Sequence, residues 1–242
     1  MCIFSSDVAV EKTIITAWQQ LGKHYMAYQN KVKSKTANVM MLPIPTNQTF
    51  KFHDTTPYKG FLSEIGKAVY TEHMKGSRGV GVVPKGFERI GQYQFAQVQQ
   101  KEVKKTLKSL KQPIQTWLDR MLEAYNGWTW LFCIMDANTS MDSQPVLVEF
   151  DSIFPDKLYF PMMDVHGNEE VRDTAERNHI LCIGSETPIA NSVITSEQLP
   201  DFPFPNLQFG GAVLEGWRDN GDGFAYRQDN GNFGLEIKNF YI

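Results

Sequence analysis

The chain has 242 residues, of which 42% are hydrophobic and 21% are charged, and this is enough to bury a sizeable core in one large domain. Its formal net charge of -3 gives no positive field that would attract nucleic acid or anionic lipid, so neither is expected as a partner. We expect a single domain over 1–242, with a weak candidate boundary in the glycine-rich stretch 75–86.

The first half of the chain predicts a sheet followed by helices. The β-branched and aromatic runs 13–19 and 23–33 flank Leu21 and Gly22, which predicts a hairpin. The nearly continuous apolar run 38–45 predicts a strand buried on both faces, with the segment after Cys2 as its neighbour. Polar residues 46–56 predict a loop. Alternation over 87–98 predicts one half-exposed strand, and apolar spacing predicts helices near 58–73, 101–110 and 113–125, the last beginning at Pro113.

The second half is predicted to be mostly strand. Apolar runs occupy 128–135, 145–150, 158–163 and 179–183. The tail alternates over 216–218, 224–228 and 233–240 across two Asp-Asn-Gly turns, which predicts an antiparallel meander. Together these elements predict an α+β fold dominated by antiparallel sheet, with about three helices on one or two faces. A two-layer sheet sandwich flanked by helices is one such arrangement.

The polar N-terminus predicts the compartment of the protein, and the spacing of the cysteines predicts their chemistry. Ser5, Ser6 and Asp7 make the start too polar for a signal peptide, and no apolar run approaches the ~20 residues of a membrane span. We therefore expect a cytoplasmic protein. Its three cysteines lack CxxC spacing, which predicts free thiols and no metal site. The glycines of 76–81 match no nucleotide-binding pattern, so no cofactor is expected.

The sharpest chemical feature is Cys2, directly behind the initiator methionine. If Met1 is removed, the thiol gains its own α-amine as a base, which is the chemistry of N-terminal-nucleophile amidohydrolases. Asp164 and His166 follow an apolar strand and are candidates to orient this site, and Asn38 or backbone amides are candidates to stabilise the oxyanion. A buried strand cysteine and an ordinary loop pair explain the same residues.

The opening MCIFS and the run NVMMLPIP at 38–45 resemble an uncharacterised bacterial protein family. That family opens with MCIF and carries an Asn-x-Met-x-Leu-Pro-x-Pro strand, and LYFPMMDVHG at 158–167 is a looser echo of it. The resemblance implies no activity. It implies that Cys2, the Pro43 strand and His166 belong to one architecture.

Two function classes follow from these observations. The first is a non-catalytic binding or assembly module, with a protein partner or a second copy of the chain as its ligand. The alternative is a cysteine amidohydrolase in which Cys2 attacks an amide carbonyl, so the sequence leaves open whether the protein is an enzyme. Neither class names a substrate.

Overall fold

The computed structural model describes residues 3–69, 88–90, 93–137, 139–142, 144–167, 176–189, 192–218, 221–228 and 232–238. Its helices are α1 (Phe61–Val69), α2 (Val103–Ser109) and α3 (Leu118–Ala124). In chain order its strands are β1 (Ile3–Phe4), β2 (Ala9–Gln20), β3 (Lys23–Ser34), β4 (Asn38–Ile44), β5 (Lys51–His53), β6 (Glu88–Ile90), β7 (Tyr93–Gln99), β8 (Thr129–Met135), β9 (Thr139–Asp142), β10 (Val146–Phe150), β11 (Lys157–Phe160), β12 (Val165–His166), β13 (Glu176–Ser185), β14 (Ile194–Thr195), β15 (Gln208–Arg218), β16 (Asp222–Arg227) and β17 (Phe233–Lys238).

These strands form three sheets. The eight-stranded sheet has the order β14-β15-β13-β2-β3-β10-β5, with β9 also paired to β3. The six-stranded sheet has the order β12-β1-β4-β8-β7-β6, and the smallest has the order β11-β16-β17. Most pairs are antiparallel, while β13 with β2 and β1 with β12 are parallel. The α+β class dominated by antiparallel sheet, with three helices in the described ranges, is confirmed.

The main core contains side chains from all three sheets together with α2 and α3. It is built around large buried residues such as Trp130, Tyr28 and Phe160, each at most 1% exposed. A second core joins α1 to β2 and β3, where Trp18 stacks on Tyr25 with ring centroids 5.2 Å apart. Burial of this apolar surface is the main force that holds the layers together.

The smallest sheet is fastened to the main core by the buried carboxylate of Asp222. Its Oδ2 accepts hydrogen bonds from the hydroxyls of Tyr125 and Tyr159, each at 2.8 Å. Its Oδ1 accepts from the backbone N–H groups of Met162 at 2.7 Å and Met163 at 3.0 Å. Burial raises the pKa of Asp222, while the four hydrogen bonds oppose that shift. One side chain therefore joins β16, β11, the residue that follows α3 and the segment after β11.

The strongest local patterns are confirmed. The hairpin is β2 and β3, with Gln20 paired to Lys23 across the turn. Every residue of β4 is buried, and β1 pairs with it as its neighbour. The helix predicted near 58–73 is present as α1, and its predicted end lies outside the described residues, as does the candidate boundary 75–86.

Several predicted elements were wrong in extent or in pairing. The single strand predicted over 87–98 is two strands, β6 and β7, which pair with each other. The loop predicted over 46–56 contains β5. The predicted meander is wrong at its first strand, because 216–218 belongs to β15, which pairs with β13 and β14, whereas β16 pairs with β11 and β17.

The helix predicted over 113–125 begins only at Leu118. The residues before it are held by contacts with the N-terminal segment. The Gln115 side chain donates to the carbonyl of Ser5 at 2.7 Å, and Gln112 Oε1 accepts from Ser5 Oγ at 2.7 Å. Because these tertiary hydrogen bonds fix the segment in an irregular conformation, they override the helical spacing of its apolar residues.

Candidate functional site

The N-terminal strand lies beside the strand that carries His166. Phe4 pairs with His166 in parallel register and with Met40 in antiparallel register, so β1 lies between β12 and β4. The Pro43 strand and the His166 strand are thus parts of one sheet. Cys2 itself lies outside the described residues, and the structure describes only the backbone of His166. The catalytic roles of these two residues stay predictions.

Asn38 holds the segment that follows β1. It is fully buried, and its Oδ1 accepts from Ser5 Oγ at 2.9 Å and from the N–H of Ser6 at 3.1 Å. Its Nδ2 donates to the carbonyls of Ser6 at 3.0 Å and Asp7 at 3.4 Å. Both amide donors therefore have backbone acceptors. The arrangement positions the N-terminal segment, and the oxyanion role stays a prediction.

Asp164 lies immediately before β12 and is half-buried. It follows Met163, whose N–H donates to Asp222. This hydrogen bond anchors the backbone next to Asp164. The role of the Asp164 carboxylate in orienting a nucleophile stays a prediction. Within the described part of the chain, no three His, Cys, Asp or Glu side chains are arranged to hold a metal ion.

Cys133 and Cys182 are free and fully buried. Burial raises the pKa of Cys182 to about 12, and a hydrogen bond with Thr16 only partly opposes that shift. We therefore expect both thiols to resist iodoacetamide at neutral pH in the folded protein, because the reactive species is the exposed thiolate. Rapid labelling of the folded protein by iodoacetamide would therefore indicate modification of Cys2.

The measurement is intact mass before and after labelling, with a Cys2→Ser variant as control. Removal of Met1 together with one fast adduct that Cys2→Ser abolishes would support the amidohydrolase alternative. Retained Met1 and an unreactive Cys2 would contradict it. Fast labelling of Cys2→Ser would contradict the burial of the other two thiols.

A polar cleft of about 620 Å³ opens at the turn between β2 and β3. Four chain segments that are distant in sequence form its walls: the turn, the connection from β10 to β11, the end of β13 with the residues that follow it, and the tail strands β16 and β17. Lys23 at its edge forms an exposed ion pair with Asp151 at 2.8 Å. An exposed pair of this kind contributes little to stability.

Arg227 and Glu186 add further charges to the cleft. The Arg227 guanidinium donates to Ser185 Oγ at 3.3 Å and to the carbonyl of Pro188 at 3.4 Å. The carboxylate of Glu186 accepts from Gln20 Nε2 at 3.2 Å. The cleft therefore offers both charges and several hydrogen-bonding groups to a ligand.

The buried ring of His24 lines the same cleft, stacked on Phe150 with centroids 5.7 Å apart. Burial lowers the pKa of His24, and a hydrogen bond with the backbone of Lys157 only partly opposes this. Its Nε2 is hydrogen-bonded to the Gln19 amide. The lowered pKa keeps the His24 ring neutral at physiological pH, and Gln19 is its hydrogen-bonding partner in the fold.

Leu21 lies at the rim of the cleft and is unusual in two respects. It has φ +51° and Gly22 has φ +75°, as a type I′ turn requires. Asparagine or aspartate is favoured at the first of these positions, because a leucine side chain is strained in the left-handed region. Leu21 is also 90% exposed, so its apolar side chain contributes almost no burial to the fold.

The sequence predicts the turn at Leu21 but does not mark Leu21 as part of a site. The other cleft residues, such as Asp151, Glu186 and Arg227, are separated along the chain and form no motif. The one available signal was a Leu-Gly dipeptide at a hairpin turn where Asn-Gly is favoured.

Comparison with solved structures gives three weak similarities. The crystal structure of baculovirus P35 has a TM-score of 0.45 and 14% identity, covering 94% of this chain and 84% of that chain. A mutated baculovirus P35 after caspase cleavage gives 0.43 and 13%, with coverage of 93% and 86%. The structure of the caspase-8/P35 complex gives 0.44 and 12%, with coverage of 94% and 90%.

No family model and no curated protein matches the chain. TM-scores below 0.5 assign neither a shared fold nor a function. The functional conclusion therefore depends on the residues of this chain itself. None of the helices in the described ranges is long and apolar enough to cross a membrane.

Proposed function

We propose that this protein is a non-catalytic protein-binding module whose contact surface is the Leu21–Gly22 turn and the adjoining polar cleft. The observation that carries the proposal is Leu21, a strained residue with an apolar side chain that is 90% exposed. A strained and exposed residue that does not stabilise the monomer motivates a functional hypothesis.

The geometry around Leu21 supports a protein as the ligand. Protein interfaces combine a few apolar anchors with a surrounding polar rim, and arginine is enriched in them. Leu21 supplies the anchor at the tip of a hairpin, while Arg227, Glu186 and Asp151 supply charged groups around it. A partner that covers Leu21 would remove from water the apolar surface that the fold leaves exposed.

The proposal predicts opposite effects of one substitution on stability and on binding. Leu21→Asn relieves the backbone strain, so we expect the free energy of unfolding to rise by about 1 kcal/mol in urea denaturation. The same change removes the apolar anchor, so binding of the partner should weaken by about ten-fold or more. Val193→Asn is the matched control, since Val193 is 44% exposed and lies away from the cleft.

Binding can be read out with a photo-cross-linking residue at Asp156, an exposed cleft position. The purified protein is irradiated alone and in an extract of its native cells. An adduct that Leu21→Asn abolishes and Val193→Asn retains supports the proposal, and an adduct of two copies in the pure sample identifies the partner as a second chain. No adduct in either sample, or equal loss in both variants, would overturn it.

A further inference from the structure

A second cavity, of about 500 Å³, lies between the first residues of β17 and strands β13 and β15. Phe233 separates it from the polar cleft, since this ring lines both cavities and the Arg227 guanidinium lies 5.8 Å from its centroid. We refer to the second cavity as the apolar pocket. Leu21 does not line the apolar pocket, and Phe233 is the one described residue that lines both cavities.

The apolar pocket differs from the cleft mainly in charge. Its described lining contains no charged side chain. The walls reach the buried core at Phe160, which is fully buried, and Leu181, which is 4% exposed. Apolar side chains form most of the wall, namely Phe160, Leu181, Ile183, Ile189, Phe233 and Leu235.

Glycines and two amide side chains complete the pocket lining, and the exposed Leu235 lies at its mouth. Gly210 and Gly211 of β15 also line the pocket. A Cβ at Gly211 would meet the backbone carbonyl of Leu181, so the close approach of the neighbouring strand explains the glycine there. The exposed amides of Gln228 and Asn232 lie at the lining of the pocket. These are uncharged hydrogen-bonding groups, and they suit an uncharged polar atom on a ligand.

We infer that the apolar pocket binds an uncharged, largely apolar small molecule that carries one or two hydrogen-bonding groups. A volume of about 500 Å³ is in the range of small-molecule sites, which are mainly apolar with a few placed polar groups. A buried ionic group would lose hydration with no opposite charge in the described lining to replace it, so charged ligands are disfavoured. The apolar wall supplies the affinity through burial of the ligand.

The test uses N-phenyl-1-naphthylamine, an uncharged apolar probe that becomes fluorescent when it is removed from water. We expect saturable binding of one probe per chain, displaced by decanol more strongly than by decanoate. Leu235→Asp places a charge at the mouth and should weaken probe binding at least five-fold, while Leu235→Met should preserve it. Leu235 is 39% exposed on β17, so these changes spare the core.

Two further variants make the result specific. Ile153→Asp introduces the same charge at a similarly exposed residue outside the pocket lining, and it should leave probe affinity unchanged. Leu21→Asn should also leave it unchanged, which separates this site from the protein-binding surface. Absence of saturable binding, stronger displacement by decanoate, or equal weakening by Leu235→Asp and Ile153→Asp would overturn the inference.

Discussion

Replacing Asp222 with alanine is expected to lower the free energy of unfolding by about 4 kcal/mol. The substitution removes the common acceptor of four buried donors, the hydroxyls of Tyr125 and Tyr159 and the N–H groups of Met162 and Met163. Each donor would then be buried without its present acceptor, and the desolvation penalty of such groups is large. Urea denaturation monitored by tryptophan fluorescence measures the change.

The matched variants separate the roles of the two carboxylate oxygens. Asp222→Asn keeps one acceptor oxygen with nearly the same shape, so its loss should be about half that of alanine. Tyr125→Phe removes one donor and leaves the carboxylate with three, so we expect a loss of about 1 kcal/mol. A change below about 1 kcal/mol for Asp222→Ala would show that this carboxylate does not fasten the smallest sheet.

The second large effect is expected at Asn38. Asn38→Ala should lower the free energy of unfolding by about 3 kcal/mol, because the amide is fully buried and bonds the backbone of Ser6 through both its oxygen and its nitrogen. We also expect faster amide hydrogen exchange in residues 3–7, since this side chain holds the backbone of Ser6 directly beside the pairing of β1 with β4. Hydrogen exchange followed by mass spectrometry measures the local effect.

Asn38→Asp is the control for this prediction. It retains an oxygen acceptor for the N–H of Ser6 but replaces the donor with a buried carboxylate oxygen that faces the carbonyls of Ser6 and Asp7. Its effect on exchange in residues 3–7 should therefore be at least as large as that of alanine. Unchanged exchange in residues 3–7 for Asn38→Ala would contradict the anchoring role. It would also leave the amide available for the oxyanion role that the sequence predicts.

The elements that could be predicted from the sequence are those in which local pattern and tertiary environment agree. The β2–β3 hairpin combines β-branched runs with a two-residue turn at Leu21 and Gly22, and it is present as expected. The strand β4 was predictable because its uninterrupted apolar run is buried on both faces. In α1 the apolar spacing matches the buried stripe of Phe61, Leu62 and Ile65.

The failures occurred where distant contacts decide the local structure. Residues 113–117 were predicted as the start of a helix, but Gln115 and the preceding Gln112 bond Ser5, more than a hundred residues away. Asp222 lies in an Asp-Asn-Gly-Asp-Gly run that is typical of an exposed turn, yet it is a fully buried acceptor. A local pattern does not show whether such an aspartate lies in an exposed turn or is buried against Tyr125, just after α3, and Tyr159 of β11.

The candidate site was also predictable only where local pattern decides the structure. Position 21 could be predicted as a turn, but the exposure of Leu21 beside a cleft depends on where β13 and β16 lie in the fold. The placement of the Pro43 and His166 strands in one sheet could not be predicted from local pattern, because β1 joins them by pairing with residues far apart in sequence.

The pairing of Ile3 with Val165 has a consequence for synthesis of the chain. The β2–β3 hairpin joins residues that are close in sequence, so it can close soon after leaving the ribosome. The first strand must wait until about 160 more residues have been translated before its parallel neighbour exists. Contacts of such long sequence separation form late. We therefore expect the pairing of β1 with β12 to be among the last to form.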